Sequence, residues 1–105
     1  MVAQSIQDTI KTTVRSMLPN ARVLLFGSMA RGDAKADSDY DVLVIIPKTI
    51  PMREKFNWRG KLNSALVHTL KAPVDVLLNS EEEITKKLEL PGHIIRWAIK
   101  EGVEL

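Results

Sequence analysis

The stretch from Leu24 to Ile46, LLFGSMARGDAKADSDYDVLVII, consists of two short apolar runs joined by a polar connection. The first run ends at Gly27-Ser28, and Asp39 and Asp41 stand at the head of the second. Short apolar runs bounded by glycine and aspartate are typical of buried strands. Because successive side chains of a strand alternate, Asp39 and Asp41 are predicted to project from one face, roughly 6 to 7 Å apart.

Two neighbouring carboxylates repel each other unless a cation lies between them. Mg²⁺ binds proteins through one or two carboxylates together with substrate phosphates, so Asp39 and Asp41 are candidate metal ligands. Gly27 lets the backbone approach a ligand closely, and amides at the start of a following helix attract phosphate. The stretch therefore predicts a metal site beside a cradle for a polyphosphate at Gly27-Ser28.

The G-S turn and the D-x-D pair together are more specific for a nucleotide site than either motif alone. Gly27, Ser28 and Arg31 lie within G-S-x-A-R-G, and Asp39 and Asp41 lie within S-D-x-D-x-x-V. This combination resembles the nucleotidyltransferase superfamily that includes DNA polymerase beta. Within that superfamily it is similar to the minimal nucleotidyltransferases (MNT), short antitoxin-like proteins encoded beside HEPN-domain partners. The resemblance is sharpest over this stretch and extends loosely over most of the chain.

The resemblance implies an α+β fold in which helices pack on a small mixed β-sheet of three or more strands, as in the polymerase beta palm. It also implies that Asp39, Asp41 and a third acid, Asp75, are the catalytic residues and hold two Mg²⁺ ions. Asp39 and Asp41 would bind both ions, and Asp75 would complete the site of the ion that activates the attacking hydroxyl. The implied co-substrate is ATP.

Nucleotide binding is expected from Gly27, Ser28, Arg31 and Ser38. The Ser28 hydroxyl and nearby amides are expected to face the β- and γ-phosphates. Two roles are open for Arg31, whose guanidinium either clamps phosphate or pairs with a nearby aspartate. Ser38 is expected to orient Asp39 through a side-chain hydrogen bond.

Asp75 interrupts the apolar run from Pro73 to Leu78, which is predicted to be a third strand. A buried carboxylate without a partner costs several kcal/mol, so we expect a metal or a neighbouring cation to compensate it. The alternative is an aspartate at a strand edge that faces water.

Apolar spacing and capping signals predict four further elements, all helical. They run from Gln4 to about Met17, from Met52 to Leu70, from Ser80 to Leu88 and from His93 to Lys100. Ser5 with Asp8 is expected to cap the first of these helices, and Ser80 with Glu83 the third. Phe56 is expected to be buried in the second helix.

Length and composition are those of one globular domain, covering residues 1–105. The chain has 45% hydrophobic and 27% charged residues and contains no cysteine. No apolar run approaches the roughly 20 residues that cross a bilayer, so a cytoplasmic protein without a membrane partner is expected. The net charge of +2 is spread along the chain, and nucleic acid is not expected as the primary partner.

A chain of this length has no room for a second domain that holds the acceptor, so a separate macromolecule is expected to supply it. The resemblance implies a HEPN-type toxin that receives AMP on a hydroxyl, in a hetero-oligomer. The broadly apolar last helix also allows a homodimer. Two alternatives stay open: an antitoxin that neutralises its partner by binding alone, and nucleotidyl transfer to a small molecule or an RNA end.

Overall fold

The computed structural model describes residues 3–31 and 39–105, apart from the side chains of Ser28 and Arg31. Its elements follow in the order α1 (Gln4–Met17), β1 (Arg22–Phe26), α2 (Gly27–Arg31), β2 (Tyr40–Ile46), α3 (Met52–Leu70), β3 (Val74–Ser80), α4 (Glu81–Lys87), α5 (Ile94–Glu101) and β4 (Val103–Glu104). Helices and strands thus alternate along most of the described chain.

The strands form one four-stranded mixed sheet in the order β3-β2-β1-β4. The two strands of the motif, β1 and β2, are antiparallel, whereas β2 and β3 are parallel. A parallel pair needs a crossover connection, and α3 provides it. This arrangement confirms the predicted α+β fold with helices on a small mixed sheet.

Alternation along the strands divides the core into two layers. On one face, strand residues such as Val42 and Val44 pack with Ile10 of α1 and Leu62 of α3. On the other face, the strand residues Leu24, Phe26, Leu43 and Ile45 pack with Ile84 of α4 and with Ile95 and Ala98 of α5. Both faces of the central strands are therefore covered, which explains their continuous apolar sequences.

The predicted bounds of α1 and α3 are those of the structure, but two details were wrong. Ala3 stands at the N-cap of α1 and makes no side-chain cap, so Ser5 and Asp8 do not close that end. Phe56 is 58% exposed, because α3 turns Leu62 and Leu66 towards the sheet and Phe56 away from it. A nineteen-residue helix on one sheet face buries only a narrow stripe.

The junction of β3 and α4 confirms the predicted capping box. The Ser80 hydroxyl accepts from the Glu83 amide at 3.1 Å, and Glu83 accepts from the Ser80 amide at 2.9 Å. Lys55 of α3 reaches the same carboxylate at 2.6 Å, and Lys87 donates to the buried amide oxygen of Asn79. Polar groups at this end of β3 are thus satisfied by one another.

The short strand β4 was not predicted. It pairs antiparallel with β1 through Leu24 and Leu25, and the side chain of Arg22 binds Glu104 of β4 at 2.8 Å. Arg22 also binds Glu81 of α4 at 2.6 Å. These two carboxylates raise the pKa of the Arg22 guanidinium, and Arg22 in turn lowers the pKa of the Glu104 carboxyl.

Candidate active site

Asp41 of β2 and Asp75 of β3 are direct neighbours across the parallel pair. Neighbouring strands lie about 4.8 Å apart, so the two backbones hold these residues side by side. Asp41 also pairs with Phe26 of β1, which makes a row of three residues across the sheet. By alternation with Leu43 and Leu77, both aspartates project to the sheet face that α4 and α5 cover.

The setting of Asp75 differs from the sequence interpretation. Asp75 is exposed, because β3 is the terminal strand of the sheet and Asp75 is only its second residue. Water therefore solvates its carboxylate, and the expectation that a buried charge there demands a cation was wrong. Asp39 is also exposed and lies one residue before β2 begins. Neither of them forms an ion pair with another residue in the described ranges.

Gly27 meets Asp41 at the start of α2. A β-carbon at Gly27 would overlap Oδ2 of Asp41 and approach its Cγ to 3.1 Å, so any larger residue would force the carboxylate to move. The φ of Gly27 is +76°, a conformation that also favours glycine. The chain therefore turns sharply from β1 into α2 against the side chain of Asp41, as expected where backbone must approach a ligand and its metal.

The backbone of α2 runs directly on from Gly27, and the first amides of a helix have no partner within that helix. Such amides suit phosphate oxygens. The predicted contacts of Ser38 and of the side chains of Ser28 and Arg31 lie outside the described residues, and these assignments stay predictions. In the described ranges, the fold brings Gly27 against Asp41 and pairs Asp41 with Asp75.

The metal-binding capacity of this arrangement rests on two carboxylates. Across residues 3–31 and 39–105, no three acidic or histidine side chains are arranged so that they could hold a metal ion. Asp41 and Asp75 nevertheless supply the hard oxygen ligands that Mg²⁺ prefers, at adjacent positions of one rigid sheet. The pair fits a magnesium site, and a role for Asp39 as a further ligand stays a prediction.

A groove beside Asp75 was not foreseen. It has a volume of about 320 Å³ and is lined by Arg59, Gly60 and Asn63 of α3 and by Val74, Asp75 and Val76 of β3. An isolated glycine inside a predicted helix is the sequence signal that could have drawn attention to it, since such a glycine costs about 1 kcal/mol relative to alanine.

Comparison with known families gives this geometry its context. The model of the nucleotidyltransferase domain family matches residues 8–101. The chain belongs to that family. The match covers nearly the whole chain, including both strands that carry the aspartates, and it confirms the resemblance that the G-S and D-x-D motifs indicated.

Individual relatives are more distant. One curated relative, the "Putative protein adenylyltransferase MJ0141" of Methanocaldococcus jannaschii, is 37% identical over 54 residues, which are 51% of this chain and 52% of the relative. The chain thus spans about half the length of the curated relative that it matches.

Two solved structures have the same fold. A chain of a toxin–antitoxin structure with AMP-PNP superposes with a TM-score of 0.69 at 21% identity, over 93% of this chain and 70% of that chain. A chain from the complex of tri-AMPylated Shewanella oneidensis HEPN toxin with MNT antitoxin gives 0.64 at 19% identity, over 96% and 69%. At these identities the likeness establishes the fold.

The helices of the described ranges include none that is both long enough and apolar enough to cross a membrane.

Proposed function

We propose that this nucleotidyltransferase domain transfers AMP from ATP to a hydroxyl of a HEPN-type toxin, and thereby acts as the antitoxin of the pair. The observation that carries the proposal is the pairing of Asp41 with Asp75 directly beside the left-handed turn at Gly27. Further support comes from the relatives, one named a protein adenylyltransferase and another solved with an AMPylated HEPN toxin.

The reaction forms one bond and breaks one. The acceptor oxygen attacks the α-phosphorus of ATP, the bond from that phosphorus to the α,β-bridging oxygen breaks, and pyrophosphate leaves with the electron pair. The hydroxyl proton goes to the Asp75 carboxylate, which is exposed and stands on the outer strand where an acceptor can reach it. Backbone amides of α2 bind the phosphates, while Gly27 leaves space for the Asp41 carboxylate against the turn.

Magnesium would be held by Asp41 and Asp75, with Asp39 as the third acid that the family resemblance implies. When bound, Mg²⁺ neutralises the triphosphate and stabilises the charge that develops during transfer. The chain's own contribution is positional, because the paired strands fix where the two carboxylates stand relative to the phosphate cradle. The proposed location is the cytoplasm, where ATP is available as donor.

A mass spectrum tests the proposal. The purified chain is mixed with Mg²⁺, ATP and the HEPN-domain protein encoded beside it, and we expect the partner to gain the mass of one or more AMP groups. Asp41→Asn should abolish the gain, whereas Glu89→Gln, which removes an acid elsewhere on the surface, should not.

Other products would contradict the proposal. A tight complex with the partner and no added mass would favour an antitoxin that acts by binding alone. AMP found only on RNA ends or on a small molecule would favour the third class of function.

A further inference from the structure

The groove beside Asp75 follows the open edge of the sheet. Its strand wall consists of the consecutive residues Val74, Asp75 and Val76, and β3 has no neighbour beyond it among the described strands. An exposed strand edge presents unpaired amide and carbonyl groups to any extended chain that lies along it. An extended chain bound along this edge of β3 would therefore lie next to Asp75 of the candidate active site.

The helix wall of the groove adds a cation. The guanidinium of Arg59 lies 5.6 Å from the ring centre of Phe56, and in the described part of the chain no carboxylate forms an ion pair with it. A guanidinium stacked on a ring keeps its N–H edge available for a carboxylate. Asn63, also on this wall, offers a neutral donor and acceptor.

Accepting the proposed function, we infer that this groove binds the acceptor as an extended polypeptide segment added to the edge of β3. A strand added to an edge alternates its side chains between the two faces of the sheet. The residue level with Asp75 then projects to the face of Asp75, and its sequence neighbours project to the face of α3. The acceptor hydroxyl therefore stands beside Asp75, while an acidic neighbour in sequence meets Arg59.

A charge variant and a steric variant, each with matched controls, test the groove while leaving the carboxylates in place. Arg59→Ala removes a cation from the groove, and Lys61→Ala removes one from another part of the same helix. Lys61 is a close control because it too lies over a ring, 5.1 Å from the centre of Trp58, and it does not line the groove. The neighbouring HEPN-domain protein serves as acceptor, and initial rates of AMP transfer give the KM for acceptor and for ATP separately.

Gly60 allows a steric version of the same test. A β-carbon at Gly60 has nothing within 4 Å, so the helix backbone accepts a side chain at this position. Gly60→Trp places a bulky side chain on the wall of the groove, and Gly60→Ala is its control. Ser64→Trp introduces the same side chain on α3 outside the groove.

For Arg59→Ala we expect the KM for acceptor to rise about threefold to tenfold, the usual effect of losing one charge-assisted contact. Gly60→Trp should raise it further, with the KM for ATP unchanged in both. Equal acceptor KM values for the groove variants and their controls would contradict binding of the acceptor in the groove, without contradicting the proposed transfer of AMP. If the unaltered chain modifies RNA or a small molecule instead of the protein, the proposed function fails, and this inference fails with it.

Discussion

The two ends of the parallel pair β2–β3 differ in whether their polar groups are satisfied within the protein. At the end where β3 runs into α4, called the far end, Ser80 is fully buried and Glu83 binds both Lys55 and the Ser80 amide. At the end where β2 and β3 begin, called the near end, Asp75 faces solvent beside Asp41, and no described cation pairs with Asp75. One end consequently contributes to folding, and the other keeps negative charge available for a ligand.

This contrast explains why a count of acids misleads in this chain. Three consecutive glutamates begin α4, yet Glu81 and Glu83 are paired with Arg22 and Lys55, and Glu82 with Lys86. The fewer aspartates of the near end are the proposed reactive groups, because no side chain in the described ranges forms an ion pair with Asp75. Substitutions at the two ends should therefore separate activity from stability.

The largest effect is expected at the near end. Asp75→Asn should lower the rate of AMP transfer on the order of 1,000-fold or more, since it removes the proposed metal ligand and proton acceptor. The free energy of unfolding should change by less than about 0.5 kcal/mol, because the side chain is exposed. Initial rates and urea unfolding measure the two quantities. A large loss of unfolding free energy would contradict the view that the near end contributes to activity and not to stability.

Gly27→Ala should affect both activity and stability. The left-handed backbone costs about 1 to 2 kcal/mol with any β-carbon, and this β-carbon also displaces the Asp41 carboxylate. Gly92→Ala is the matched control, because its φ is +74° and its β-carbon would meet nothing within 4 Å. We expect similar losses of unfolding free energy in both variants and a loss of AMP transfer for Gly27→Ala alone. Equal rates in the two variants would contradict the role of the turn.

Ser80→Ala should lower the free energy of unfolding without changing the rate of AMP transfer. It removes the hydroxyl that accepts from the Glu83 amide and lies 2.6 Å from the Thr49 hydroxyl. The loss of a buried cap costs about 1 to 2 kcal/mol, measurable by urea unfolding, and the rate of AMP transfer below the melting temperature should not change. Thr85→Ala, an exposed hydroxyl on the same helix, should cost much less. A reduced transfer rate in folded Ser80→Ala would show that the ends are coupled.

The smallest effect concerns pH. Burial raises the pKa of the Glu83 carboxyl, but the hydrogen bonds from Lys55 and the Ser80 amide outweigh it and hold the pKa below its ordinary value of 4.5. A carboxyl whose folded pKa is depressed stabilises the fold above about pH 4.5, and that stability is lost as the pH falls through the folded pKa. Unfolding measured from pH 7 to 3 should therefore be less acid-sensitive in Glu83→Gln than in Glu82→Gln. Identical profiles would contradict the ion pair.

The sequence predicted local elements well because their causes are local. Periodic apolar residues and a capping box specify α3 and the start of α4, and the structure has both where they were expected. It did not predict β4, whose two residues pair with β1 far away in the chain. Nor could it show that Phe56 is exposed, because apolar spacing does not tell which residues the sheet will cover.

The candidate site was predicted through its motifs, and its environment was not. The G-S and D-x-D patterns singled out Gly27 and Asp41, and the close approach of these two residues agrees with that reading. Both the apolar run around Asp75 and the family resemblance pointed to that residue, but its exposure depends on strand order, which an amino-acid pattern does not contain. The groove at Gly60 depends in the same way on how α3 lies against β3.

Parallel pairing of β2 and β3 also sets the order of events during synthesis. All of α3 lies between Asp41 and Asp75 along the chain, so these two residues can meet only after the helix has closed back onto the sheet. Contacts that require such closure are slow to form and are absent from a partly translated chain. A nascent polypeptide accordingly lacks the Asp41–Asp75 pair, and any transfer activity that depends on this pair arises only when the third strand docks.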